Sequence, residues 1–521
     1  MNKVFLGASL AVMISHGGMA TAENVLRWGG ARDIYSLDPY SLGSTSNLAF
    51  LNHIYEGLVR YTPEFEVEPA LAESWELIGP ATWRFHLRKG VTFQNGAEFN
   101  ADDVLASMER VSDPESPLRG NIPTYVSTTK VDDHTVDIEA TSGSTLFLRD
   151  MTNIFMFDAD WLTDNDAEAP TSVGAQTENF ATYNTNGTGP FMLESRVPDS
   201  ETVLVVNEGW WDEPKHNLDR IEFTPITSAP TRVAALLSGE IDLTEAVPVQ
   251  DLERVEASPE IEVIQRSDLR TVMLSFNRRE TLADGRPNPF NDLRLRQAID
   301  MAVDRELIGK RIMRDKAHIA GTMVAPEIPG YDADLDVPTP YDPDKASALI
   351  EEAGLTGTEF TLTCANDETV NEEAMCQAVV SMLTRVGLAP RLDIGPRAVQ
   401  SPKRSSGKAD MFITSWANEP TLDAYSLLVQ VLSSADEAQG VANYGDWSYP
   451  EIDELTTQIS IETDEAKRLE LESEALKIAK DEVVLVPLYQ QPMAWAMGAD
   501  ISEVTVRADN KPRHWLTGMS E

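Results

Sequence analysis

One segment of the chain carries residue types that could hold a small solute. An apolar run that starts at Met411 ends at Trp416, and the polar residues Asn418, Glu419 and Asp423 follow it. A tryptophan offers a flat apolar face, and a carboxylate can pair with the ammonium group of a ligand. Open α/β sheets bind ligands beyond the carboxyl ends of their strands, where this loop would lie. The alternative is that Trp416 is a core residue and that both acids are solvated.

Residue patterns for catalysis or for a resident metal are not found. The chain has no Gly-x-Ser-x-Gly elbow, no His-Glu-x-x-His helix and no Gly-Lys-Ser/Thr phosphate loop. Asp332, Asp334 and Asp336 imitate the start of a calcium loop, but Val337 and Pro343 stand where that loop needs glycine and glutamate. The histidines are scattered without ligand spacing. We therefore expect no catalytic residue, no metal site and no cofactor, with an exported hydrolase that uses two carboxylates as the alternative.

The first 22 residues have the pattern of a signal peptide. Lys3 supplies the positive charge, residues 4–14 form a short apolar core, and residues 20–22 read Ala-Thr-Ala, a small-residue cleavage site. The apolar run is too short to span a bilayer, which argues against an uncleaved anchor. The pattern predicts a soluble periplasmic protein that starts at Glu23 and does not insert into the membrane.

The net charge of the chain limits the kinds of partner that it can bind. The chain has 85 Asp and Glu residues against 42 Lys and Arg residues, a formal net charge of −43. Such a chain repels phosphates and anionic lipid headgroups, so we expect no nucleic acid partner.

Two cysteines occur, Cys364 and Cys376. An exported chain favours one structural disulfide between them, and two buried free thiols are the alternative.

Secondary structure can be predicted with most detail around residues 83–104. Residues 83–88 alternate between apolar and polar, which predicts a half-buried strand. A turn at residues 89–90 would lead into a partner strand at 91–93, and Asn95 and Gly96 would form a second tight turn. Asn100 is expected to cap a helix.

A second body is expected to begin near residue 277. An apolar stripe at helical spacing over 295–302 and a helix from Asp342 to Gly354 open it. A strand at 359–364, a helix at 373–386 and strands at 388–394 and 409–415 would then form an α/β unit.

Seven stretches together resemble one protein family. They cover residues 36–39, 55–59, 69–75, 88–104, 186–191, 291–305 and 487–489. In this order and spacing, the chain resembles the extracytoplasmic solute-binding proteins of the peptide/nickel class (family 5), which serve ABC importers, along nearly the whole mature length.

The resemblance implies an α/β, two-lobed periplasmic binding protein fold (class II, cluster C type) with an extra domain inserted in the first lobe. The implied division is a signal peptide at 1–22, lobe I from 23–63, 186–276 and 490–521, the insertion at 64–185, and lobe II at 277–489.

The resemblance also implies site residues. Peptide binders of this family hold the ligand amino group on an acid that corresponds to Glu419, or to Asp423 in a shifted reading, near Trp416 and Asn418. The sequence at residues 419–423 departs from the usual Asp-x-x-Asp-Pro pattern, which weakens the case for a dipeptide ligand.

A basic residue of lobe II is implied for the ligand carboxylate, and Arg397, Lys403 and Arg404 lie in the matching stretch. Tyr35, in the loop at 32–38, would line the cleft from lobe I.

The expected function is that of a monomeric periplasmic subunit, which captures a solute by lobe closure and delivers it to an ABC permease and its ATPase. A peptide or an amino-acid-like zwitterion is the favoured ligand. An opine, a sugar, haem or a nickel chelate are alternatives within the family, and a periplasmic chaperone is an alternative outside it.

Overall fold

The computed structural model describes residues 23–419, 421–436 and 439–520. The predicted signal peptide lies outside these residues. None of the helices in the described part has the length and apolar character needed to cross a membrane.

The first half of the chain is mostly strand. The strands are β1 (Val25–Gly30), β2 (Val59–Tyr61), β3 (Val67–Pro69), β4 (Ala72–Leu77), β5 (Thr82–Leu87), β6 (Tyr125–Asp132), β7 (Thr135–Ala140), β8 (Phe191–Val197), β9 (Glu201–Val206), β10 (Arg220–Pro225), β11 (Leu243–Thr244) and β12 (Ile261–Phe276). The helices are α1 (Thr45–Leu51), α2 (Ala101–Ser112), α3 (Leu146–Asp150), α4 (Ala159–Asp164), α5 (Ala229–Ser238) and α6 (Leu252–Glu256).

The second half carries more helix. The helices are α7 (Leu293–Ala302), α8 (Arg305–Arg311), α9 (Pro343–Glu352), α10 (Glu372–Arg385), α11 (Arg397–Ser405), α12 (Ala424–Leu427), α13 (Pro450–Ile461) and α14 (Glu465–Asp481). The strands are β13 (His318–Ile319), β14 (Glu359–Ala365), β15 (Ala389–Gly395), β16 (Met411–Trp416), β17 (Leu485–Gly498), β18 (Ile501–Glu503) and β19 (Gly518–Met519).

One mixed sheet runs through both lobes, in the order β15-β14-β16-β12-β17-β11-β1-β10-β9-β8, with β13 also paired to β17. The long antiparallel strands β12 and β17 stand at its centre. Residues 261–267 of β12 pair with 492–498 of β17, and after a break in register residues 271–275 pair with 485–490. Beyond the break, β12 pairs on its other edge with β16, whereas the far end of β17 pairs with β11. The two lobes are therefore joined where the register breaks, between Ser267 and Thr271.

A separate antiparallel sheet, β4-β5-β7-β6, lies inside the stretch predicted as an insertion. The prediction that residues 91–93 pair with the strand at 83–88 is wrong, because β5 pairs with β4 and β7 instead. Residues 91–93 fold onto the following segment through the predicted Asn95–Gly96 turn, where the Gly96 amide donates to the Phe93 carbonyl at 2.8 Å.

The predicted cap of α2 is confirmed. The Asn100 side chain accepts from the Asp102 amide, and the Asp103 carboxylate accepts from the Asn100 amide, which together form a capping box. The predicted disulfide is also present, and it joins Cys364 at the end of β14 to Cys376 in α10.

A pair of stacked histidines holds the C-terminal segment against lobe I. The rings of His53 and His514 are fully buried and lie 5.1 Å apart, among Trp28, Phe191 and Trp515. The His514 amide donates to Nε2 of His53 at 3.1 Å. Burial lowers the pKa of His53 to about 4 and holds that of His514 well below its usual value. Both rings are therefore neutral in the folded protein.

This pair should weaken the fold in mild acid. An unfolded histidine titrates near pH 6.5, so between pH 6.5 and 4 the unfolded chain binds more protons than the folded one. The free energy of unfolding then falls with falling pH, by up to about 1.4 kcal/mol per unit for His53. Urea unfolding at pH 6.5 and pH 5 should show wild type losing about 1.6 kcal/mol more than His53→Gln. The matched variant His86→Gln, at a partly exposed position, should lose as much as wild type. Equal losses in wild type and His53→Gln would contradict the assignment.

Candidate functional site

The junction of the lobes carries three polar side chains. Asp268 and Arg270 stand in the register break of β12, and Gln491 faces them from β17, with its Nε2 donating to Asp268 at 3.2 Å. Partial burial raises the pKa of Asp268 to about 6, with the Arg270 charge opposing the shift and Glu419 adding to it. Arg270 donates to the Ser415 hydroxyl of β16 at 3.3 Å. The floor between the lobes is thus polar and contains one carboxyl group that titrates close to neutral pH.

The loop after β16 forms the wall on the lobe II side. Trp416 pairs with Thr271 in the last register position of β16, so it stands beside the junction. Its ring is half-buried against the apolar cluster around Leu422 and Tyr425, and its Nε1 lies 3.4 Å from the Ser426 hydroxyl. Trp416 is therefore both a packing residue and a wall of the space between the lobes.

Glu419 links this loop to lobe I. Its Oε2 accepts from the Thr45 hydroxyl of α1 at 2.7 Å, and the Lys511 ammonium lies 2.9 Å from its Oε1. Lys511 also donates to Oδ1 of Asn153 at 3.1 Å. Both Lys511 and Glu419 are mostly buried, with side chains 11% and 20% exposed. The acid singled out from the sequence is therefore an interlobe contact that already faces an ammonium group.

Asn418 is a fully buried amide in the same loop. Its backbone has φ of 57°, a conformation that asparagine adopts more readily than most residues. The residue is 0% exposed, and neither Nδ2 nor Oδ1 has a hydrogen-bond partner among the described residues. An unpaired buried polar group costs about 1–3 kcal/mol, which polar groups of a ligand could recover. This residue therefore remains a candidate ligand contact.

Asp423 has a different environment. It caps α12 through the Tyr425 amide, and its Oδ2 lies 2.7 Å from Nη1 of Arg468, which also binds Glu472 at 2.6 Å. All three charged side chains are buried. Burial and the charge of Asp423 hold the pKa of Glu472 well above its usual value. The Asp423 carboxylate is thus occupied inside lobe II, and we no longer propose it as a ligand contact.

The structure places the basic candidates in different environments. Arg404 is buried and donates to the Ile413 carbonyl, to Glu368 and to Ser401, so its guanidinium supports lobe II and we withdraw it as a contact. Lys403 pairs with Asp393 at 2.6 Å.

Arg397 keeps an exposed side chain, 3.6 Å from Glu368, at the start of α11. Across the gap, Arg32 of lobe I donates to the Asp367 carbonyl at 3.3 Å, and Tyr35 of the same loop is 53% exposed. Arg397 and Tyr35 therefore remain candidates at the rim.

Sequence reasoning missed Thr45, Lys511, Asp268 and Arg270. No local pattern marks them, since they come from a short helix, the C-terminal segment and the register break of a strand. The three-residue disruption of pairing at 268–270 is visible only when β17 is aligned against β12.

The comparison with protein families gives a clear result. The family described as "Bacterial extracellular solute-binding proteins, family 5 Middle" matches residues 66–439, well over half of the chain. The chain belongs to this family. Its members are substrate-binding proteins of ABC importers, and the two-lobed α/β fold predicted from the sequence is confirmed.

Individual relatives match this chain over most of its length. Heme-binding protein A of Haemophilus influenzae is 27% identical over 85% of this chain and 83% of its own. The dipeptide-binding protein of Escherichia coli K12 is 26% identical over 92% of this chain and 91% of its own. The solved structure of AgaA from A. tumefaciens R10, in complex with agropinic acid, superposes with a TM-score of 0.79 at 23% identity, over 95% of this chain and 99% of that one.

The buried cluster gives a test of the role of Asp423. Replacing Arg468 by Met removes the cation between two buried carboxyl groups, so we expect it to lower the free energy of unfolding by about 3–5 kcal/mol. Glu465→Gln removes only the exposed partner, 3.5 Å from the same guanidinium, and should change stability by less than about 1 kcal/mol. Urea unfolding of wild type, Arg468→Met and Glu465→Gln measures both changes in the free energy of unfolding. If Arg468→Met is stable but no longer binds ligand, the cluster contributes to ligand binding and the structural role of Asp423 is wrong.

Proposed function

We propose that this family 5 protein captures a small zwitterion, a peptide or an amino-acid-like compound, between its lobes and delivers it to an inner-membrane ABC permease and its ATPase. The observation that carries the proposal is the Lys511–Glu419 ion pair, which joins the lobes at 2.9 Å. It lies near the buried amide of Asn418, which has no hydrogen-bond partner among the described residues. A ligand with one ammonium and one carboxylate could exchange with that pair. Its ammonium would take the place of Lys511 at Glu419, and its carboxylate would bind Lys511.

The exchange keeps the charges balanced. Glu419 and Lys511 are mostly buried, so either one left alone would lose solvation without a counter-ion. A zwitterion supplies a partner to both at once, whereas a neutral solute supplies none. Trp416 and Tyr35 would pack against the apolar part of the ligand from the two sides.

Closure of the lobes is the proposed mechanism. The junction consists of two strand segments at the register break of β12 and β17, a geometry that supports hinge motion. Ligand contacts to Glu419 on one lobe and Lys511 on the other would be complete only in the closed form. The ligand therefore favours closure by its difference in affinity for the two forms.

The remaining parts of the proposal follow the family. We propose a periplasmic location, a monomer, and binding without catalysis. Two similar proteins are named for haem and dipeptides, and a third binds agropinic acid, so a non-peptide ligand is the second candidate. This second candidate applies if Lys511 stays paired with Glu419 when ligand binds, because the ion pair then leaves no room for a ligand ammonium.

A ligand screen with one variant tests the proposal. The mature chain, first unfolded and refolded to strip bound ligand, would be screened by thermal shift against di- and tripeptides, amino acids, opines, sugars, haem and nickel with histidine. Ligand at about a hundred times its Kd should add about 2.7 kcal/mol to stability. Glu419→Gln should weaken a zwitterionic hit by about ten- to a hundredfold because a charged hydrogen bond is lost.

The matched control is Glu451→Gln, an exposed acid in the first turn of α13, which should bind like wild type. Tight binding of a zwitterion by Glu419→Gln would place the ammonium elsewhere. A hit with an anion or a neutral sugar only, unaffected by Glu419→Gln, would select the second candidate.

A further inference from the structure

A small cavity in lobe I lies directly behind the Glu419 contact. Its wall includes Leu48 of α1, the helix whose first residue, Thr45, binds Glu419, and Tyr61, whose hydroxyl donates to the Thr421 carbonyl at 2.6 Å. The space open to the centres of water molecules is about 70 Å³. One water needs about 10–15 Å³ by this measure, so the cavity holds a few waters or one small polar group and not a whole ligand.

Four basic side chains line this cavity: Arg60, Arg507, Lys511 and Arg513. This is unexpected in a chain with 85 acidic and 42 basic residues. Lys511 is the same residue that reaches Glu419, so one side chain borders both the cavity and the space between the lobes. The cavity is therefore a recess of the proposed binding site.

Two of the four cations are neutralised inside the protein. Arg60 binds Glu68 and Asp212, each at 2.9 Å. Arg507 forms a two-point contact with Asp509, with distances of 3.1 and 2.8 Å.

The other acid on the wall, Glu56, is also occupied. It accepts from the hydroxyl of Thr188 and from the indoles of Trp210 and Trp211, and burial raises its pKa to about 7. Both carboxylates of the cavity wall are thus hydrogen-bonded to groups other than Arg513, although the charge of Asp509 still acts on it.

Arg513 is a buried cation with too few partners. Its Nη2 donates to the Tyr61 carbonyl, and Glu68, already bound to Arg60, is 4.0 Å away. Its Nε and Nη1 have no hydrogen-bond partner among the residues that the structure describes. Burial, with the like charges of Arg507 and Arg60, lowers the pKa of Arg513 to about 9, and the charges of Asp509 and Glu68 only partly oppose this shift. A guanidinium presents donors in a fork that matches a carboxylate, so an anion at this place would satisfy both the geometry and the charge.

We infer that this cavity is an anion subsite, in which Arg513 receives a second acidic group of the transported ligand. The inference rests on the proposed function for the identity of the ligand. The chemistry of the subsite does not depend on that function, because Arg513 should pair with a carboxylate group whether or not the ligand also carries an ammonium group. The ligand class narrows to zwitterions with an additional carboxylate, such as peptides or amino-acid conjugates with an acidic side chain. Lys511 at the border contacts the main carboxylate, and Arg513 contacts the second.

Two pairs of isosteric probes test the inference on the full mature chain. Glutarate has carboxylates and no ammonium, and glutaramide is its neutral diamide. Ala-Glu and Ala-Gln are zwitterions that differ by one charge. Binding is measured by titration calorimetry at constant ionic strength. We expect wild type to bind glutarate and not glutaramide, and to bind Ala-Glu about ten- to a hundredfold more tightly than Ala-Gln.

Arg513→Gln should abolish glutarate binding and remove the preference for Ala-Glu. Arg286→Gln, at an exposed ion pair in lobe II, should leave both as in wild type. Because Arg513 also supports the Tyr61 backbone, Ala70→Leu is the second variant. Ala70 lines the cavity, and a leucine there would occupy its space without changing any charge, with the same expected losses.

The outcomes separate the two proposals. Arg513-dependent glutarate binding without any dipeptide binding would keep the subsite and overturn the zwitterion proposal. Dipeptide binding with no preference for Ala-Glu, unchanged in Arg513→Gln and Ala70→Leu, would overturn the subsite and keep the proposed function. Glutarate binding that neither variant reduces would also overturn the subsite.

Discussion

The pairing of β12 with β17 is the constraint on which the rest of this structure depends. Both strands are long enough to run through both lobes within one sheet, and their hydrogen bonds hold the two lobes in one framework. The longest interruption of the pairing lies between Ser267 and Thr271, and it releases Asp268 and Arg270 from the ladder; a second irregularity follows between Val272 and Met273. A paired strand with its interruptions close together in the middle gives a stiff connection with one region that can bend. The same break that permits bending also supplies the polar floor between the lobes.

The interior of this acidic protein contains small groups of paired charges. Asp423, Arg468 and Glu472 support the loop that presents Trp416 and Glu419, and burial together with the charge of Asp423 raises the pKa of Glu472. Such groups are costly to bury, but once built they make the loop hard to displace. A binding residue held by this loop is therefore positioned before ligand arrives. Arg513 departs from the pattern, since it is buried near other cations, and among the described residues the nearest carboxylate oxygen to its guanidinium, on Glu68, is 4.0 Å away.

Local sequence patterns predicted local structure well. Asn100 has the side chain and the spacing to Asp103 that a capping box requires, and both contacts are present. The disulfide between Cys364 and Cys376 and the α/β unit around it were also predicted. The hairpin at 83–93 failed because alternation identifies a strand but not its partner, and β5 found two better partners, β4 and β7. The site was predicted in part, since Glu419 and Asp423 have the same chemistry in the sequence and differ only in what surrounds them. Lys511 is nearly a hundred residues from Glu419, and no periodicity links them.

The Lys511–Glu419 contact would make the proposed polar site selective. The two charges pair with one another across the lobes, so a single ion cannot bind to either without breaking this pair. A ligand with a single charge can replace one partner only, and the other is left mostly buried without a counter-ion. Leaving a buried polar group unpaired costs about 1–3 kcal/mol, and more for a charge. By the relation between free energy and affinity, this is a discrimination of roughly ten- to a hundredfold or greater against singly charged solutes. Arg513 would add a second selection, for negative charge, because this cation gains a partner only from a ligand that brings a further carboxylate. Selectivity in this protein would then arise from the number and sign of charges that the lobes must pair, and less from the shape of the apolar wall.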